Sequence, residues 1–207
     1  MTKQSLFSAA ALAIGGLTVG AAPAHSPEAI PWNTDASHTM VGFSVKHFFT
    51  PVRGQFDEFD VELRYDQETP ENSTVRVRIP VASVNTANEK RDTHLMSGDF
   101  FEAETYPYIT FVSESVERVS ETELLVRGPL KIKGQTRTVE LPVKILGVMD
   151  VPADMQQMMG GVKHIASFET SLILDRRDFG VGVGSWAATM VVGGEVTLDI
   201  AVEANRS

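Results

Sequence analysis

Apolar and polar positions alternate along most of the chain, and the alternation fails at one long place. From Thr39 to His47, Val41, Phe43, Val45 and His47 share one face while Met40, Gly42, Ser44 and Lys46 share the other. That two-residue period is the signature of a half-buried strand. A second strand runs from Gly54-Gln55-Phe56 through Phe59, Val61, Leu63 and Tyr65, with a bend near Asp57. Val75, Val77, Ile79 and Val81 form the next inward set, and Pro80 predicts an edge or a bulge there. The period returns in Ile109, Phe111 and Ser113, and in Leu124, Val126, Gly128, Leu130 and Ile132. Val139, Leu141, Val143 and Ile145 repeat it. So do Ala166, Phe168, Thr170, Leu172 and Leu174, and finally Val196, Leu198, Ile200 and Val202.

Polar turns join these runs at Asp66–Ser73, Ser120–Glu123 and Gly134–Thr136. About eight alternating segments with no long helical pattern predict an all-β domain, an antiparallel barrel or sandwich. The period alone does not separate a filled sandwich from a hollow barrel, and on pattern alone an ordinary packed core is the plainer reading. A barrel of about eight strands is just wide enough for a slender ligand.

The exception is Asn88 to Thr105. Asn88 is placed to cap a short helix, and Leu95 falls four residues after Arg91 on the same helical face. The segment predicts a one- or two-turn helix and a loop lying over one end of the β-structure. Arg91 and His94, three apart, would face something polar, and Phe100 and Phe101 would plug something apolar.

The N-terminus changes the picture next. Lys3, an apolar run from Leu6 to Ala22, and Ala22-Pro23-Ala24 read as a secretory signal over residues 1–24 with a small-residue cleavage site. A retained membrane anchor is the alternative; the run is barely long enough to span. The mature domain would then be 25–207, periplasmic, with no stable membrane insertion after cleavage. The formal net charge is −9, and loss of Lys3 makes it −10. This argues against nucleic acid, whose phosphates need a basic face, and against broad attraction to anionic headgroups. With no cysteine there is no disulfide, thiolate nucleophile or Cys-based metal site.

Catalysis finds no support: there is no G-x-S-x-G elbow and no H-E-x-x-H. Asp57-Glu58 reads as a solvated turn, and Arg177 with Asp178 as a loop-fixing ion pair. Met155, Met158, Met159 and His164 form a loop cluster of soft ligands that would suit Cu(I) in an exported protein. Methionines simply covering an apolar mouth are the plainer reading.

Several motifs then fall in a recognisable order. They are Trp32 with Asp35 and His38, Phe43-Ser44-Val45-Lys46-His47, Gly54-Gln55-Phe56 and Ser83-Val84-Asn85-Thr86. Arg91-Asp92-Thr93-His94-Leu95, Asp99-Phe100-Phe101 with Tyr106-Pro107, Gly128 to Gly134, and Arg177-Asp178-Phe179-Gly180 complete the set. In this order the sequence resembles the YceI-like family of lipocalin-like polyisoprenoid-binding proteins over nearly all of the mature chain. It departs at Pro129, which predicts a bulge, and at the Met155–Met159 stretch.

The resemblance implies an elongated eight-stranded antiparallel barrel with a short helical lid. Its apolar tunnel would take a polyisoprenoid or quinone-like tail, for transport or storage. The tunnel residues expected are Phe43, Val45, Phe56, Val75, Val77, Ile79, Phe100, Phe101, Phe111, Leu130, Ile132, Leu141, Val143, Phe168 and Leu172. His47, Arg91 and His94 are the headgroup candidates: Arg suits a phosphate or carbonyl oxygen and His a quinone oxygen. The plainer alternative pairs Arg91 with Asp92, Asp99 or Glu102 and leaves His94 packed in the lid. No cofactor is required, the expected partner is a long-chain apolar lipid, and a homodimer is compatible with the sequence. Copper binding through the methionine loop, or a ligand-free stress-related interaction module, are the rival functions.

Overall fold

Most of each alternating run becomes strand in the computed structural model, which describes residues 29–207, with Phe59, Tyr65, Val81 and Ser113 falling just outside. The strands are β1 (Pro31–Thr34), β2 (Met40–His47), β3 (Thr50–Phe56), β4 (Asp60–Arg64), β5 (Thr74–Pro80) and β6 (Val84–Asn85). After helix α1 (Glu89–Met96) come β7 (Tyr108–Val112), β8 (Ser115–Arg118), β9 (Glu123–Ile132) and β10 (Gln135–Asp150). The short α2 (Ala153–Gln156) precedes β11 (His164–Asp175) and β12 (Val192–Arg206). Every pairing is antiparallel, in the order β1-β4-β5-β7-β9-β10-β11-β12, and β12 returns to β1 through Asn33↔Asn205 and Thr34↔Ala204.

The ring is therefore closed. β1/β2, β3/β4, β5/β6 and β7/β8 are each one strand position interrupted by a turn or bend, so twelve strands occupy the positions of an 8-strand barrel. The upper half is walled by β2, β3 and β6 beneath α1, the lower half by β1, β4 and β5. Closure leaves no long unpaired edge among these strands, and the alternation puts one side chain in two into the interior.

The interruptions have local causes. Asp35 accepts the Ser37 backbone N–H at 2.9 Å and caps the single 3₁₀ turn, Ala36–His38, between β1 and β2. Asn88 caps α1 as its position predicts, its Oδ1 accepting the Arg91 N–H at 3.1 Å. The bulge expected at Pro129 is not in β9, which pairs with β10 without a break from Glu123 to Ile132. The opposite neighbour is interrupted instead, between β7 and β8. Gly128 explains this. A Cβ there would lie 2.0 Å from the Val112 carbonyl oxygen, so only glycine lets β7 leave the sheet at that point. Pro80 closes β5, paired with Tyr108, where a missing N–H is tolerated.

The lower end is sealed by aromatic packing. Trp32 donates its indole N–H to the Tyr65 carbonyl at 3.0 Å, and the Tyr65 ring stands edge-on to Phe168 at 5.0 Å. At the upper end, Arg176 is buried after β11 and its guanidinium donates to five carbonyl oxygens. They belong to Gly193 (2.8 Å), Val181 (2.9 Å), Gly182, Trp186 (2.7 Å) and Val192 (3.0 Å). One planar cation thus gathers the whole 181–193 loop. Burial lowers its pKa, with the Arg177 charge adding to the effect. Arg177 pairs with Asp175 at 2.5 Å, not with Asp178 as its sequence neighbour suggested. The Arg177 hydrogen bond holds the Asp175 carboxyl down to about 2.

Candidate functional site: two chambers inside the barrel

The inward residues do not all meet. In the lower half they leave an apolar chamber of about 140 Å³ walled by β-branched and aromatic side chains. Of the residues the sequence pointed inward, Val75, Val77, Ile79, Phe111, Leu141, Val143 and Phe168 line it, joined by Val41, Val61, Leu63, Tyr65, Leu124, Val126, Ile200 and Val202. The surface it exposes is wholly apolar. Thr170 also lines it, and among the described residues its Oγ1 is a buried polar atom with no hydrogen-bond partner.

A second chamber of about 290 Å³ lies above, under α1. Phe43, Val45, Leu95, Phe100 and Trp186 line it with Lys46, His47, Thr86, Arg91 and His94, and the surface presented is mostly apolar. The two chambers follow each other along β2: Val41 faces the lower one, Phe43 and Val45 the upper one. Two residues of strand advance by about 6.8 Å. Phe56 stands between. Its ring is 5.6 Å from Phe43 and 6.2 Å from Phe101, and its backbone pairs with Val41. The interior thus holds two chambers and not one continuous tunnel, with Phe56 packed against Phe43 and Phe101 and neither Phe56 nor Phe101 lining a chamber. Leu130 is buried in the surrounding core, and Ile132 and Leu172 pack against it.

His47, Arg91 and His94 come together around the upper chamber although they sit on two distant segments. Their bonding differs from the simple expectations. Arg91 does not pair with a carboxylate; its Nε and Nη2 donate to the Thr86 hydroxyl and carbonyl, each at 2.7 Å. The Thr86 hydroxyl in turn bonds Asp92 at 2.5 Å. His94 Nε2 lies 2.9 Å from Asp99 Oδ2, and its ring is edge-on to Phe100 and Trp186 at 5.0 and 5.1 Å. Asp99 also accepts the Trp186 indole N–H at 3.2 Å. These two bonds, His94 first, hold the Asp99 carboxyl below the usual carboxylate value. Phe100 is buried behind this cluster and Phe101 packs on the core.

Two residues here escaped the sequence reading: Arg176, masked as half of a charged Arg-Arg-Asp run, and Trp186, isolated in an uncharged loop. The methionine loop lies at the opposite end of the barrel, with Met155 and Met158 exposed. His164 opens β11, with its Nδ1 2.7 Å from Asp150 and its ring edge-on to Trp32. The segment 1–24 lies outside the described residues.

A closed antiparallel barrel with an apolar chamber between its strands and one short helix over its upper end places this chain among the small β-barrels. A YceI-like domain model matches residues 32–204, and the chain belongs to the YceI-like family. It is 30% identical over 207 residues to a UPF0312 protein of Azotobacter vinelandii (strain DJ), covering 100% of both chains. Among solved structures, Burkholderia cenocepacia BcnA superposes with a TM-score of 0.73 at 26% identity, covering 83% of this chain and 99% of that one. A polyisoprenoid binding domain from Saccharophagus degradans, implicated in plant cell wall breakdown, superposes with a TM-score of 0.61. At 15% identity, over 86% of this chain and 99% of that one, the second likeness is one of fold.

Proposed function

We propose that this protein is an exported carrier or store for a long apolar lipid of the polyisoprenoid class, with the tail in the lower chamber and the polar head in the upper one. The observation that carries the reading is the wholly apolar surface of the lower chamber, in line with a mostly apolar upper one whose rim carries Arg91, His94 and His47. A void of about 150 Å³ lined by carbon stays dry and admits a benzene-sized group. The lower chamber is of that size, so it takes one segment of a chain, and the rest must pass Phe43, Phe56 and Phe101. Each methylene taken from water contributes roughly 0.8 kcal/mol, less the cost of ordering the tail. A long tail therefore binds tightly without a specific polar contact. In the upper chamber Arg91, oriented by Thr86, still has Nη1 to donate to a phosphate or carbonyl oxygen, while His94, whose Nε2 faces Asp99, lines the chamber beside it. The polyisoprenoid-binding fold relative and the family membership support this choice of ligand class.

The test is retention. Phe101→Ala loosens the packing around Phe56 and Lys131→Ala alters an exposed outward position. Extraction of each purified variant into organic solvent, followed by mass spectrometry, should recover less lipid from Phe101→Ala than from Lys131→Ala. Equal recovery from both would remove this packing from the binding path.

A further inference from the structure

The hairpin joining β2 to β3 turns in two residues, Phe48 and Phe49, between the paired His47 and Thr50. A two-residue hairpin of the primed kind requires positive φ at its first central position, which glycine and asparagine adopt readily. Phe48 occupies it at φ 53, an outlier for a bulky side chain. Nothing in the barrel rewards this choice by burial: Phe48 is 51% and Phe49 94% exposed. The Phe48 N–H bonds the Val191 carbonyl at 2.9 Å, and the preceding Met190 is 77% exposed. Three large apolar side chains thus project at the upper end. His47 and Val192, which pair across β2 and β12 beside them, line the upper chamber. The apolar tip and the rim of that chamber are continuous.

The two segments that form this tip differ in charge from the rest of the molecule by carrying no carboxylate. The chain carries −9 overall, yet no Asp or Glu occurs between Asp35 and Asp57, where Lys46 and Arg53 are exposed. From Phe179 to Gly194 there is no charged residue of either sign. Across the rim, Glu89 and Asp92 of α1 are matched by Lys90 and Arg91. On the flank, Lys46 shares a surface groove with Arg177 and with the carboxylates of Asp175 and Glu195, so the flanks are balanced and only the tip itself is free of acid. An acidic protein meets an anionic surface with least repulsion when it leads with that tip. Exposed aromatics flanked by cations are what the interfacial zone of a bilayer accepts.

We propose that the β2–β3 tip, with the adjoining Met190 loop, docks the upper rim of the barrel on an anionic phospholipid bilayer. The proposal goes beyond holding a lipid: a store needs no such tip, whereas a carrier that loads from a membrane does. It rests on the lipid-carrier reading only for its purpose, since exposure and charge are independent of what fills the chambers.

The experiment is flotation of the full chain with vesicles of phosphatidylethanolamine and phosphatidylglycerol, and with vesicles of phosphatidylcholine alone. Wild type is compared with Phe49→Ser, Met190→Ser and Lys46→Glu. All carry the same N-terminus, so any contribution of residues 1–24 cancels. Burial of an aromatic side chain predicts a loss of about tenfold or more in vesicle affinity for Phe49→Ser. Met190→Ser loses less, and Lys46→Glu loses affinity only for the anionic vesicles. Phe49 is almost fully exposed, so Phe49→Ser should keep the wild-type melting temperature and its copurified lipid. Equal binding by wild type and Phe49→Ser overturns the proposal. So does failure of wild type to bind, or a concentration-dependent dimer that Phe49→Ser abolishes, which would make a second copy the occupant. Loss of copurified lipid is read separately, by extraction, so the carrier reading and the docking surface can fail independently.

Discussion

Trp186 donates its indole N–H to Asp99 at 3.2 Å, joining the loop before β12 to the turn after α1 across 87 residues of chain. Because Asp99 also binds His94 at 2.9 Å, one carboxylate latches the roof of the upper chamber to its far wall. The two bonds favour the charged carboxylate and lower its pKa from the ordinary 3.8. A depressed carboxyl contributes stability above its unfolded value and loses it as pH falls through the folded one. The latch should therefore hold at neutral pH and release only below about pH 3.8. Tryptophan emission, with Trp186→Phe as the reference for the Trp32 background, should shift to longer wavelength in that acid range. Asp99→Ala should show the released emission already at pH 7. An unchanged Asp99→Ala spectrum would mean that Trp186 is held by packing alone.

Removing Arg176 should be costly for a different reason. Its donors occupy five carbonyl oxygens of one loop, and no other described cation takes them. Arg176→Leu strands several of those acceptors where water reaches them poorly, a loss of about 3 kcal/mol in chemical denaturation. Arg176→Lys should recover less than half of it, since a single ammonium cannot span a fork of carbonyls. Full rescue by lysine would show that charge, and not planar geometry, holds the loop.

Thr170 points the other way. Its buried hydroxyl has no partner in the wall of the lower chamber. Thr170→Val keeps the shape and removes the unmet polar group, so it should raise stability by about 1 kcal/mol. Lipid recovery should be unchanged. A destabilised Thr170→Val would reveal that the hydroxyl is satisfied, for example by a polar group of the bound molecule.

The strands were legible in the sequence because a closed barrel leaves each of them one wet face, and a two-residue period records that directly. In β9 the alternation of Leu124, Val126, Gly128 and Leu130 against Glu123, Arg127 and Lys131 is buried against exposed, position by position. The helix over the opening was legible from Asn88, whose cap is a local matter. What escaped depends on long-range placement. Pro129 pointed at a bulge in its own strand, but the break fell on the neighbour, where Gly128 admits the Val112 carbonyl. Arg176 and Arg177 look alike in sequence; only the fold buries one and leaves the other with Asp175. The packing of Phe43, Phe56 and Phe101 against one another depends on rings from three segments meeting, which periodicity does not encode.

The most direct measurement is native mass spectrometry of the purified protein beside Val143→Phe. Val143 lines the lower chamber, and a phenyl ring there occupies much of its 140 Å³. Wild type should carry an added mass that organic solvent releases as a hydrocarbon-rich lipid. Val143→Phe should be at least as stable, since it fills a void, and should carry none. Lipid-free wild type, or equal lipid on both proteins, would contradict the assignment of the lower chamber to a lipid tail.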